Sequence, residues 1–228
     1  MAKLTKSVLG KVSGAIGDLV FRIRSGNNFI CTRPLSFMPG TDDESVERRS
    51  RFSSAAKFAG AVNSILSLRI LWDKFTPNSI SPFNGIFKSN YRYVTPSDIL
   101  PSASLVPDLG FEIPSQTITM TAEEISVETS AIGTGTGIDT STEKTFLMCA
   151  VIFLSDRKDE NYKPMDFIRF PFPETPLDLI NPLTFSHTMS DVEKQLFNRY
   201  NSAKGFFALL SLSEEGLPVH FSNTVIST

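Results

Sequence analysis

Hydrophobic residues recur at every fourth position near the start of the chain: Leu4, Val8, Val12, Ile16 and Val20. A period of four fits one face of a helix and one face of a strand equally well. Gly10, Gly14 and Gly17 are interleaved with them. Each costs about 1 kcal/mol relative to Ala inside a helix. Extended structure with close backbone approach is therefore expected over residues 4–20, with a membrane-surface amphipathic helix as the alternative. Residues 19–24 then alternate, Phe21 and Ile23 against Arg22 and Arg24, and residues 29–33 return before Pro34. Residues 25–28, Ser-Gly-Asn-Asn, supply the turn of a β-hairpin that would bring Arg22, Arg24 and Arg33 near one another.

The period lengthens to that of a helix over residues 41–72. Thr41 and Glu44 have the spacing of a capping box, with Asp42 and Asp43 at the positive end of the dipole. Phe52, Ala55, Ala59, Val62, Ile65, Leu66 and Ile70 trace a buried stripe, leaving Arg48, Arg49, Arg51, Lys57 and Arg69 largely outside it. A short helix is predicted from Ser81, with Pro82 first and Phe83, Ile86 and Phe87 within it.

Prolines between 96 and 114 mark a boundary, and the pattern beyond them is that of strands. Residues 116–121 and 125–132 come first, then 145–154, apolar almost throughout and so expected as a central strand buried on both faces. Segments 166–170, 183–188, 205–212 and 219–224 complete about seven strands, the last two joined by Ser-Glu-Glu-Gly. A capping box at Ser190 and Glu193 opens a short helix among them. The expected fold is mainly β, α+β overall: an N-terminal β-hairpin plus long helix, then an immunoglobulin-like antiparallel β-sandwich. Two regions are predicted, 1–100 basic and 101–228 acidic.

Charge sharpens that division. The net charge is −2, but residues 1–100 hold 14 Lys/Arg against 7 Asp/Glu, and residues 101–228 hold 8 against 17. Such a split suits nucleic-acid or membrane contact through the basic half, or head-to-tail association of copies. The aromatic set is 19 Phe against 4 Tyr and 1 Trp. Phe lacks a polar handle and so fits dry cores and subunit interfaces. Cys31 and Cys149 lie in hydrophobic strand contexts far apart, which makes neither a disulfide framework nor a zinc site; both are expected buried and reduced. Lys and Gly interrupt the N-terminus too often for a secretory signal, and no apolar run reaches a membrane span of roughly 20 residues. Synthesis in the cytoplasm is expected, with later incorporation into a virion-like or surface assembly.

Candidate chemistry is sparse. Gly133, Gly135 and Gly137 lead into a strand instead of opening a helix, so a loop is expected there and not a phosphate cradle. Ser186, His187 and Asp191 could be assembled as a triad only on paper, and His187 and His220 both fall in predicted strands, where structural roles are expected. Asp156, Asp159 and Glu160 lack the glycine and alternating acids of a calcium loop. No catalytic residue, metal site or cofactor is predicted. The remaining candidates are basic: Arg22, Arg24 and Arg33 on the hairpin, with Arg48, Arg49 and Arg51 at the helix start, as contacts for a partner or for nucleic acid.

The glycine-punctuated run from Gly10 to Phe21, the hairpin with Gly26 and Asn27, Arg33-Pro34 and the helix carrying Arg49 and Phe52 together resemble an uncharacterised family of bacterial and phage-associated proteins. The resemblance covers residues 8–72 and, loosely, 200–224; the turn at 38–43 departs from the family's Pro-Gln form. It implies a β-sandwich after the helix, no catalytic residues, and a part in a cell-surface or virion-like assembly. The leading expectation is a non-enzymatic, self-associating structural protein. A glycan- or protein-binding module using loops 133–142 and 155–164, with Tyr162 its one aromatic, and nucleic-acid binding through the basic third are the alternatives.

Overall fold

The computed structural model describes residues 2–3, 13–24, 26–33, 36 and 38–227. The chain divides into two compact units, Met1–Val46 and Glu47–Thr228. Residues 47–100 thus belong to the same unit as 101–228, and the break lies at Val46 and not in the proline-rich stretch.

The first unit carries four antiparallel strands, β1 (Ala2–Lys3), β2 (Gly14–Ile16), β3 (Leu19–Arg24) and β4 (Asn27–Thr32), in the order β1-β4-β3-β2. The expected hairpin forms, with a tighter turn: Arg24 pairs with Asn27, and the chain reverses about Gly26 at φ +76°. Extended structure holds over residues 14–16, where Gly14 at φ +124° lies outside helical backbone. The part of that expectation falling on residues 4–12 lies outside the described residues. Among the described residues of this unit none is fully buried, and Ile16, Leu19 and Ile23 are 67%, 42% and 41% exposed.

The second unit is built around one long strand pair. Strand β7 (Glu143–Arg157) lies antiparallel to β11 (Tyr200–Ser213), with Phe207 opposite Ala150 and Leu210 opposite Leu147. Strands β8 (Asp166–Pro171) and β12 (Pro218–Phe221) flank the pair, giving the order β12-β11-β7-β8. Short strands β9 (Thr175–Pro176) and β13 (Val225–Ser227) add to β7 and β11. The strand predicted over 219–224 is β12, which stops at Phe221, and β13 is a further strand beyond it; between them Ser222 and Asn223 donate their N–H groups to the carbonyls of Leu209 and Phe111. A second, three-stranded sheet holds β5 (Gln116–Met120), β6 (Glu124–Thr129) and β10 (Leu183–Thr188) in the order β10-β6-β5.

Alternation along β7 and β11 supplies both faces of the large sheet with apolar side chains. Phe146, Met148, Ala150 and Ile152, with Phe207 and Leu209, cluster with Ile125, Val127, Leu183 and Phe185 of the small sheet. Leu147, Cys149, Val151 and Phe153, with Phe206, Ala208 and Leu210, cluster instead with helical residues. Helix α1 (Asp43–Ser64) gives Phe58, Ala59 and Val62, α2 (Leu66–Phe75) gives Leu68, Leu71 and Trp72, and α3 (Pro82–Asn90) gives Ile86. The strand expected to be buried on both faces is so, and helices cover one of them. Each large side chain fully removed from water there contributes about 1.5–3 kcal/mol.

The helices correct the sequence reading in three places. The Asp42 carboxylate, not Thr41, accepts the Ser45 N–H (2.9 Å) at the start of α1. The predicted single helix is interrupted at Ile65, which is extended (φ −81°, ψ 114°) and serves as the N-cap of α2. Phe52 and Leu66 of the expected buried stripe are each 57% exposed, while Phe58 fills the core. The other caps are as expected. The Ser81 hydroxyl receives the Asn84 N–H ahead of Pro82, and Ser190 and Glu193 form a reciprocal box at α4 (Asp191–Phe197). Trp72, the single tryptophan, is buried and donates its indole N–H to the Leu105 carbonyl at 2.8 Å. No helix among the described residues is long and apolar enough to cross a membrane.

Candidate functional site

The six arginines singled out above do not converge within either unit. Arg22 lies opposite Phe29 and Arg24 opposite Asn27, near the hairpin turn. Arg33 stands at the open end, where its backbone N–H donates to the Asp18 carbonyl (2.6 Å). It is four residues along the strand from Phe29, roughly 13 Å at strand rise, so it is not the neighbour of Arg22 that the hairpin was expected to make it. Arg48 and Arg49 are exposed on α1. Arg51 is committed elsewhere: its guanidinium lies 4.7 Å over the Tyr91 ring and donates to the Tyr91 carbonyl at 3.1 Å, tying α1 to the end of α3.

One polar cluster in the second unit joins a buried acid, a histidine and a serine. The Glu143 side chain is fully buried at the start of β7. It accepts hydrogen bonds from the Ser211 hydroxyl and from the Asp139 N–H (2.7 Å), and His220 Nδ1 lies 3.1 Å from both its oxygens. Ser211 in turn accepts the His220 N–H at 3.0 Å. The hydroxyl proton therefore points to the carboxylate and not to the imidazole, and Ser211 has no exposure through which a substrate could reach it. A hydrolytic triad needs the histidine between serine and acid. Here the acid stands between the other two, an arrangement that pins β7, β11, β12 and the 139–143 turn together. Periodicity gave no sign of it, because Glu143 and His220 are 77 residues apart.

The paper triad also separates. Ser186 and His187 project from opposite faces of β10, Ser186 exposed and His187 half-buried. The His187 ring stacks on Phe170 (centroids 3.7 Å apart, 12° between planes), and its Nε2 lies 3.4 Å from Glu193. The glycine run forms a single tight turn over Thr134–Thr136, bracketed by Gly133 (φ +82°) and Gly137 (φ +80°) and tied down by Gly133 N–H to Leu179 (2.8 Å). It lies between β6 and β7 and opens no helix of cradling length. At the 156–162 turn the Asp159 carboxylate is spent on Asn161, and Arg157 reaches the carbonyls of Glu160 and Tyr162, while Arg199 covers the Tyr162 ring at 5.2 Å. Among the described residues no group of three His, Cys, Asp or Glu is placed to hold a metal ion. Burial pushes the Cys149 thiol up to about 12, whereas Cys31, expected buried, is only half-buried and sits 3.6 Å from the Val20 carbonyl.

Concavities are shallow. A cleft of about 370 Å³ between α1 and β8 is lined by Lys57, Gly60, Lys163, Asp166 and Arg169, with Lys163 and Asp166 paired at 3.2 Å. What the second unit offers more distinctly is a flat polar face. Thr117 and Thr119 of β5, Glu124, Ser126 and Glu128 of β6, and Thr184, Ser186 and Thr188 of β10 lie in register on the side of the small sheet away from the core. Compared with known protein families, curated proteins and solved structures, the chain has no match.

Proposed function

We propose that this chain is a non-enzymatic structural subunit that associates with copies of itself, and that its N-terminal sheet docks on a neighbouring chain in a virion-like or surface assembly. The observation that carries the reading is the contrast in burial. The four N-terminal strands place no described side chain fully out of water, yet they present Ile16, Leu19 and Ile23. A small antiparallel sheet gains independent stability only when a hydrophobic face is covered. Charge complementarity favours a second copy as the cover: the first 33 residues carry six Lys/Arg and one Asp, whereas residues 101–228 carry 17 Asp/Glu against 8 Lys/Arg. In the second unit the two sheets that share the Phe146–Phe207 core are read as an immunoglobulin-like sandwich, a scaffold, with its polar groups engaged with one another. That engagement is what speaks against catalysis: Ser211, Glu143 and His220 satisfy each other.

Size-exclusion chromatography with light scattering tests the reading. A mass above that of one 25.2 kDa chain is expected at high protein concentration and low salt, falling as salt rises. A strict monomer under all conditions overturns it. Leu19→Ser with Ile23→Ser should lower the assembled fraction without changing the thermal transition of the second unit.

A further inference from the structure

Among the described residues the small sheet of the second unit has two free edges, and the hydrogen bonds at its ends fix which backbone groups face outward. The Thr121 N–H donates to the Glu124 carbonyl (3.0 Å) and the Ser130 N–H to the Ser115 carbonyl (2.9 Å). These are alternate rungs of the β5–β6 ladder, so Thr117 and Thr119 also exchange hydrogen bonds with β6. Gln116, Ile118 and Met120 therefore turn their N–H and C=O groups to the free side. The Met189 N–H on the Glu123 carbonyl (2.9 Å) sets the complementary parity for β10, so each residue of β6 serves one neighbour only. Among the described residues no strand pairs with the free side of β5.

Sheet edges that stay monomeric are commonly blunted by charge, proline or a bulge. The edge strand β12 begins at Pro218, whose carbonyl is taken by Lys74 Nζ at 2.6 Å. The edge strand β8 carries Asp166, Arg169 and Pro171. Strand β5, reading Gln-Thr-Ile-Thr-Met, has no charge and no proline, and its register is unbroken. It also leaves apolar surface at its rim, since Ile118 and Met120 are only half-buried. The opposite edge, β10, has Leu183 and Phe185 already buried.

We propose that β5 pairs antiparallel with β5 of a second copy about a two-fold axis at Ile118, joining two three-stranded sheets into one of six strands. This rests on the reading of the chain as a self-associating subunit and names one of its contacts. The strand is self-complementary. Ile118 meets its own symmetry mate and Gln116 meets Met120, which are the positions whose backbone groups point outward, so six hydrogen bonds close with every donor matched. On the polar face Thr117 stands opposite the partner copy's Thr119, a favourable cross-strand pair. The paired strands themselves bring no charged side chain opposite another. Glu124 and Glu128 sit one strand inward on each side, roughly 14 Å from their counterparts across the junction and beyond the screening length of about 8 Å at physiological salt. The contact is isologous and closes as a dimer; combined with a separate head-to-tail contact through the N-terminal sheet, it would extend the assembly.

Lysine substitutions and directed cross-linking test this on the full chain. Thr117 and Thr119 are exposed, so Thr117→Lys with Thr119→Lys should leave the thermal transition in place while opposing lysines across the axis weaken association at least tenfold. In a Cys31→Ser background, Thr117→Cys chains mixed with Thr119→Cys chains should oxidise to a covalent dimer, and neither should do so alone. Wild-type protein that is strictly monomeric overturns the self-association reading and this contact with it. Wild-type protein that associates, with the lysine pair having no effect and the mixed thiols failing to cross-link, overturns the β5 contact and leaves the reading standing. Loss of association by Thr184→Lys with Thr188→Lys, but not by the β5 pair, overturns it in favour of β10.

Discussion

The N-terminal hairpin β3–β4 and the central pair β7–β11 are both regular antiparallel ladders, and they differ in what lies over their faces. Strand β3 alternates apolar residues with Arg22 and Arg24, and its apolar side chains remain partly in water. Strand β7 is apolar from Phe146 to Leu154, with a helical layer against one set of side chains and the small sheet against the other. Hydrogen bonding per residue is alike in the two. A net contribution of about 1 kcal/mol per hydrogen bond does not offset the entropy of ordering a residue, so buried apolar surface must supply the rest, and β7–β11 has it on both faces whereas no described side chain of β3–β4 is fully buried.

Deletions in the covered ladder should give the largest effects. Phe207→Ala, at a fully buried position between the two sheets, should destabilise the second unit by about 3–5 kcal/mol in urea unfolding. Ile16→Ala in the uncovered sheet should change the same transition by less than about 0.5 kcal/mol. A comparable loss at both positions would abolish the contrast. Next in size is Glu143→Ala, which strips acceptors from Ser211, His220 and the Asp139 N–H and should cost about 2–3 kcal/mol. Removing the α4 cap by Ser190→Ala should cost about 1 kcal/mol.

Acid should act on the second unit through surface carboxylates. Partial burial raises the Glu193 carboxyl, but the Ser190 hydroxyl and N–H, with His187 beyond them, more than offset this and hold it below its usual value. The Ser141 hydroxyl does the same for Asp139, and the Asn181 amide for Asp178. Groups depressed on folding contribute stability above their unfolded values of about 4, and that contribution is lost as pH falls through the folded ones. Tm should therefore decline below about pH 4, and Glu193→Gln should make the decline shallower. The smallest readout is chemical. A thiol reagent should modify Cys31 in the native protein and leave Cys149 untouched until unfolding, because burial holds the Cys149 thiol near 12.

Local signals carried much of the fold. Ser81 before Pro82, the Ser190–Glu193 box and the unbroken apolar run of β7 each depend on neighbours within a few residues, and each formed as its sequence implied, while the turn at Gly26 formed with Asn27 and Asn28 drawn into the strand. The interruption at Ile65, extended and only 4% exposed, was hidden because neither glycine nor proline stands at it. Phe52 fits the helical stripe by spacing, yet it faces Phe87 at 4.9 Å on the outside of α1. The Glu143 cluster and the covering of the large sheet by helices come from contacts many tens of residues apart, which no local period encodes. Residue type and proximity in the chain single out the arginine set, but neither reveals that Arg51 is occupied by Tyr91.

Trp72 lies under the helical layer, its indole N–H held by Leu105, with no second tryptophan in the chain. Its fluorescence consequently reports on one side of the large sheet alone, while far-ultraviolet circular dichroism averages over both. Following the two signals through one melt separates departure of the helices from opening of the small sheet: coincident curves mean that the three layers unfold as a single cooperative block, and an early emission shift means that the helices leave first.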